Sequence, residues 1–315
     1  MSLLSRLFAP TRPAVALEIG SSRVTALRLG AGSPPVATYA VEALPPGAVT
    51  PSLVTPNLVD EGAVAAAIGR ALDAVGRPRH VALVVPDSVA KVSLVRFDQV
   101  PSRLQDLEAM LRWQMRKSVP FRVDEAQVTW AEGQPLEGGA GEFIVAIARS
   151  EIVAQYEAVV AAAGAHAGLV DLATFNLANL VLTRDAAEDW LLVHMAADYV
   201  TLAIVRGGRL IFYRHRGADG DESLEDLVHQ TAMYYEDRLS GRGFGRVFLA
   251  GAAEGPDGVG GAERIRRTLA ERLHAKVEGV DFSGSAVFAD RITASAALVD
   301  QLAPLVGILS REPAA

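Results

Sequence analysis

The chain has 315 residues, half of them hydrophobic and 21% charged, and a net charge of −7, which is ordinary for a globular protein and ample for two compact units. Its 30 Lys and Arg are scattered rather than gathered in a stripe, which argues against nucleic acid as a partner. Cysteine is absent and the six His show no metal-ligand spacing, so disulfides and thiolate sites are excluded, no metal site is expected, and a reducing, cytoplasmic compartment fits.

The N-terminal MSLLSRLF sets Leu3, Leu4, Leu7 and Phe8 around one Arg and is closed off by Pro10 and Pro13. It is too short for a secretory signal, and reads either as a loose start or as a small amphipathic foot for a membrane or partner. Val15 to Leu29, VALEIGSSRVTALRL, is a β-hairpin signal turning at Gly20-Ser21-Ser22. Residues 31 to 57 read as loops around one strand, Val36 to Val41. Val64, Ile68, Leu72 and Val75 then predict a helix from Asp60 to Val75, with Asp60 as cap and Gly76 as stop. His80 to Val85 is an apolar strand ended by Pro86.

The pattern changes at Lys91. Val92, Leu94 and Val95 make a strand that Val100-Pro101 breaks. Leu104, Leu107, Leu111 and Met115 lie on one face of a helix from Ser102 to Lys117, stopped by Val119-Pro120-Phe121. Strands are expected at Ala126 to Trp130 and Phe143 to Ile147, and a helix from Ser150 to Ala163. This stretch reads as an inserted α+β module. A short strand at Leu169 to Asp171 and a helix at Phe175 to Leu182 follow.

The second half starts at Trp190. Leu191 to Val205, LLVHMAADYVTLAIV, overlays Val15 to Leu29 without a gap, its turn carrying Ala196-Ala197-Asp198. Arg206-Gly207-Gly208-Arg209 is a tight turn into a strand at Leu210 to His215. A helix from Asp221 to Leu239, a loop at SGRGFGR, a strand at Arg246 to Ala250, a helix from Ala262 to His274 and a helical ending over 285 to 309 complete the order. Two similar halves of strands and helices predict a duplicated α/β fold with the two turns facing across a cleft. No run reaches the roughly 20 apolar residues of a spanning helix, since Glu157, Asp300 and Pro304 interrupt the candidates, so a soluble or peripheral protein is expected.

Together these segments resemble the actin-like ATPase superfamily and, within it, the type IV pilus assembly PilM family. The residues carrying the resemblance are LLSRLF, EIGSSRVTALRL, Val100-Pro101, Leu111-Arg112-Trp113-Gln114-Met115 and Val119-Pro120-Phe121-Arg122-Val123-Asp124-Glu125. Val170-Asp171, Tyr234-Tyr235 and Leu302-Ala303-Pro304-Leu305-Val306-Gly307 extend it over nearly the whole chain.

The resemblance implies an actin-like (ribonuclease H-like) α/β fold of duplicated subdomains around a cleft, with an inserted module. It divides the chain into a first subdomain, 1–86, completed by 168–188 and 300–315; the module, 87–167; and a second domain, 189–299. It also implies ATP and Mg²⁺ held by two phosphate hairpins and an adenosine loop, with Glu18, Gly20, Ser21, Ser22, Asp198, Thr201 and Gly251 as candidates.

The departures are as informative as the matches. Glu18 replaces the usual Asp, His194 the acidic residue of the second hairpin and Ala196 its Gly, while 248–254 keeps the single Gly251. A hard cation loses an oxygen ligand and a Cβ enters phosphate space, so hydrolysis is not expected and no catalytic residue is assigned. A plainer reading stands beside this one: Gly20 permits a tight turn, Ser21 and Ser22 cap it, and Glu18 pairs with an internal Arg.

The family further implies a groove beside the module that takes the extended cytoplasmic tail of a PilN-like inner-membrane protein. Val92, Leu94, Leu111, Trp113 and Phe121 are the candidates there, each also readable as core. Pilus motor components and further copies of the chain are implied as partners, in a cytoplasmic location peripheral to the inner membrane. An active ATPase or nucleotide-gated switch of a pilus, secretion or cell-division machine is the alternative. Relatives of FtsA usually end in an amphipathic membrane helix, and GspL proteins continue into a spanning one, which ranks both behind.

Overall fold

The apolar runs of this sequence assemble into three sheets. The computed structural model describes residues 13–32, 35–182, 188–217, 222–254, 258–282, 287–288 and 295–311. The N-terminal foot, the predicted helix start at Asp221 and residues 285–286 and 289–294 of the predicted helical ending lie outside them, and 287–288 of that ending form a short strand instead of helix. No described helix is long and apolar enough to cross a membrane.

The first half contributes β1 (Val15–Ile19), β2 (Arg23–Gly32), β3 (Pro35–Ala43), helix α1 (Glu61–Ala74) and β4 (His80–Val85). Next come β5 (Ala90–Phe97), α2 (Leu104–Met115), β6 (Ala126–Pro135), β7 (Gly141–Arg149), α3 (Ser150–Ala162), β8 (His166–Leu172) and α4 (Ala173–Val181). The second half holds β9 (Trp190–Met195), β10 (Tyr199–Arg206), β11 (Arg209–Gly217), α5 (Leu224–Leu239) and β12 (Arg246–Ala250). It closes with α6 (Gly258–Leu273), β13 (Val277–Gly279), β14 (Val287–Phe288) and α7 (Ala296–Leu309). Sequence periodicity missed the three-residue β13, too short to carry a pattern.

One sheet has the order β14-β3-β2-β1-β4-β8 and a second β11-β10-β9-β12-β13. Apart from β14 they are the same sheet twice. In each, the first three strands are antiparallel neighbours and the last two join in parallel. The duplication read from two short overlays therefore extends to all five strands of each half. The third sheet, β5-β7-β6, belongs to the inserted module and packs α2 through Leu107, Leu111 and Met115.

Alternation along β1 decides how the layers stack. Val15, Leu17 and Ile19 face α1 and α3, while Ala16 faces the opposite way, into a cluster with α4, α7 and the second sheet. Helix α1 forms where the periodicity placed it: the Asp60 side chain accepts from Ala63 N at 2.9 Å, and Gly76 leaves the helix at φ +89°. Helix α3, read from the sequence as part of the module, buries Ile152, Tyr156, Val159 and Val160 in one cluster with α1, the first sheet and Val92 and Ile144 of the module sheet.

Helices α4 and α7 fill the layer between the two large sheets, with Leu302, Ala303, Leu305 and Val306 buried. They meet backbone to backbone: a Cβ on Gly307 would lie 2.0 Å from Asn176 O, and Asn179 Nδ2 donates to Gly307 O at 2.9 Å.

Candidate functional site

The two matched turns sit at the same place in their sheets. Glu18 pairs with Thr25 across the first hairpin and His194 with Thr201 across the second. Each turn is closed by one backbone hydrogen bond, Gly20 N to Arg23 O at 3.0 Å and Ala196 N to Tyr199 O at 2.9 Å. The tips approach each other across the cleft, where Ser21 Oγ donates to Asp198 Oδ1 at 3.4 Å.

Behind the tips lies a polar chain built from three elements. Asp87 opens a single 3-10 turn, Asp87–Val89, just past the carboxyl end of β4; Thr174 is in the first turn of α4; His194 is on β9. Thr174 N donates to Asp87 Oδ1 at 3.1 Å and its hydroxyl donates to Oδ2. With that proton directed to the carboxylate, the 2.7 Å contact between Thr174 Oγ1 and His194 Nδ1 assigns the imidazole proton to Nδ1. All three side chains are buried. Burial alone would raise the Asp87 carboxyl, but its hydrogen bonds and the charge of His194 outweigh this and hold it below the ordinary range. Burial raises the Glu18 carboxyl, with Arg23 and His194 opposing. His215 joins the halves as well, touching Ser88 Oγ at 3.3 Å and Thr201 Oγ1 at 3.2 Å.

At the far side of the cleft, α7 supplies Asp300. Its Oδ2 accepts from Ala253 N at 2.9 Å. Gly251 is held at φ +78°, and a Cβ there would fall 1.9 Å from Met195 O, so this loop is pressed against the second hairpin and only glycine fits.

Glu18, Gly20, Ser21, Ser22, Asp198 and Gly251 are thus brought together around one cavity. Thr201 is not among its walls; it is buried on β10 and bound to His215. Asp87, Thr174 and Asp300 were missed. For Asp87 a signal existed: a carboxylate just past the carboxyl end of a parallel strand is where open α/β sheets hold ligands.

These residues do not fit Mg²⁺ and ATP in this arrangement. The cavity measures ≈ 50 Å³, against about 300 Å³ or more for ordinary small-molecule sites. No group of three His, Asp or Glu able to hold a cation occurs among the described residues.

A different cavity, ≈ 100 Å³ and more apolar, opens between the module and the first half. One wall is a single face of the module sheet, where Gln127 aligns with Ala148 and Ala90, and Thr129 with Ala146. Three alanines leave that face recessed. The opposite wall is Val170, Asp171 and Leu172 of β8, over Tyr156 and Phe175. β6 and β8 are both sheet edges among the described residues, so the groove runs between two strand edges.

None of the five residues named for partner binding lines it. Leu111 is fully buried in the module core and Phe121 packs against that core; Val92 is buried toward the first sheet, and Leu94 packs toward the second. Trp113 is 65% exposed on the opposite side of α2 from its buried face.

Comparison with known proteins bears on both sites. A family model described as type IV pilus assembly protein PilM matches residues 16–240. Among solved structures, a PilM-PilN type IV pilus biogenesis complex superposes with TM-score 0.76 at 19% identity, covering 94% of this chain and 96% of that one. A Bacteroides thetaiotaomicron protein with an actin-like ATPase fold and unknown function gives 0.51 at 8% identity, covering 95% of each chain. The actin-like fold implied by the resemblance is therefore the fold of this chain.

Proposed function

This chain belongs to the type IV pilus assembly protein PilM family, and we propose that it acts as a scaffold that holds the extended cytoplasmic tail of a PilN-like membrane protein. The observation that carries this reading is the groove between the edges of β6 and β8. An extended peptide laid there gains main-chain hydrogen bonds from two strand edges at once, and the recess over Ala146 and Ala148 receives its side chains. That the related solved structure pairs a PilM with a PilN agrees with it. In this reading the chain lies at the cytoplasmic face of the inner membrane, tethered by the tail, and offers its other surfaces to motor components and to further copies of itself.

The test is fluorescence anisotropy with a labelled peptide copying such a tail. Ala148→Arg and Val170→Arg fill the groove and are expected to weaken binding at least tenfold, which is about 1.4 kcal/mol. Trp113→Ala is expected to leave it unchanged. Undiminished binding by both arginine variants, with circular dichroism intact, would take the groove out of the function.

A further inference from the structure

We infer that the cleft between the two halves carries its own ligand: Asp300, reaching from α7, occupies the anion seat of the loop after β12, so that the halves close on each other with no nucleotide between them. Three contacts, each independent of the others, converge on this. Gly251 at φ +78° starts a turn in which the Ala253 amide donates to the Asp300 carboxylate at 2.9 Å. Successive amides around a glycine of positive φ make an anion-binding concavity, and this one lies past the carboxyl end of β12, beside the parallel strand β9, the usual ligand position in an open α/β sheet. A carboxylate of the chain already fills it.

The second contact is between the turn tips. A phosphate chain would have to run between Ser21 and Asp198, which instead bond directly at 3.4 Å. The third is the Asp87–Thr174–His194 chain, which ties β4 and α4 of the first half to β9 of the second through buried groups. Where a bound nucleotide would cross-link two halves of an actin-like fold, side chains of this protein do so. The residues at the seat and the tips are also the ones a nucleotide would need, so the two modes of closure exclude each other.

This inference does not rest on the tail-binding reading; peptide binding and cleft closure are measured separately and either can fail alone. The experiment uses the full chain with Mg²⁺-ATP and with inorganic pyrophosphate, read by thermal unfolding and by small-angle scattering. For the wild type, neither anion at millimolar concentration is expected to move the melting temperature or the radius of gyration. Asp300→Asn and Asp300→Ala free the loop of a charge; both are expected to melt lower and to recover part of that loss with pyrophosphate. Asp198→Ala, at a partly exposed turn, is expected to fold and to scatter as a more open particle. The inference is overturned if wild-type protein melts higher and contracts on adding Mg²⁺-ATP. It is equally overturned if Asp300→Ala melts as wild type and ignores both anions. Should the Asp300 variants fail to fold, the wild-type and Asp198→Ala measurements decide.

Discussion

In the first hairpin Glu18 stands opposite Thr25, and in the second His194 stands opposite Thr201, on the same rung of the same ladder. The surroundings of the two rungs diverge completely. Thr201 bonds to His215 and His194 to Thr174, whereas Thr25 Oγ1 is buried with no hydrogen bond among the described residues. Gly20 has room around it, with Arg23 O the nearest atom to an added Cβ at 3.6 Å, while Gly251 has none. Duplication of a backbone thus preserved strand order and register, and left polar chemistry to be settled separately in each copy. The second copy put its polar groups to structural use, knitting itself to the first.

The sharpest way to break that comparison is a pair of glycine substitutions. Gly251→Ala must displace Met195 O and adopt a left-handed backbone, and is expected to cost about 3 kcal/mol or more by denaturant titration. Gly20→Ala is expected to cost less than about 1 kcal/mol, since the matching turn already carries Ala196. Equal costs would mean that the two turns are not differently constrained.

A smaller effect separates the matched threonines. Thr201→Val removes the hydroxyl partner of His215 Nδ1 and is expected to destabilise by roughly 1 kcal/mol. Thr25→Val deletes a hydroxyl that has no partner among the described residues, and is expected to be neutral or stabilising. Destabilisation by Thr25→Val as large as that by Thr201→Val would show that both rungs are bonded.

The smallest difference is a pH dependence. Burial pushes His215 below its ordinary value of 6.5, with Lys91 and His194 adding to the shift and Asp87 opposing it. The unfolded chain therefore takes up a proton first as pH falls. The stability contributed by neutral His215 is fully present above pH 6.5 and is lost as pH drops below it toward the folded value. Glu18, whose carboxyl is raised, works in the opposite sense, its contribution present below 4.5 and lost as pH rises through the folded value. Subtracting the profile of His215→Gln from that of wild type isolates the histidine. A difference that stays flat below pH 6.5 removes it from the account.

Much of the architecture was legible in the chain because local signals sufficed. Apolar runs bounded by Gly, Pro or Ser gave the strands, Asp60 and Gly76 bracketed α1, and two three-residue turns let the halves overlay without a gap. Allegiance was less legible. Periodicity says that Ile152, Tyr156 and Val159 share a buried face, but not that the face meets the first sheet as well as the module. The polar chain was invisible for a similar reason, since Asp87 and Thr174 meet only when β4 and α4 are in place, 87 positions apart. The groove was the feature hardest to read from the sequence. Large apolar residues such as Leu111 attract attention as contacts, yet they fill cores; a groove forms where small residues such as Ala146 and Ala148 leave space, and alanine announces nothing.

Because Gly307 brings the backbone of α7 against Asn176 of α4 with no side chain between them, nothing in that contact can reshuffle to absorb strain. The pair is an axle without play. Any displacement of α7 relative to α4 has to be taken up outside this contact, in the segments that lead from the two helices to the sheets.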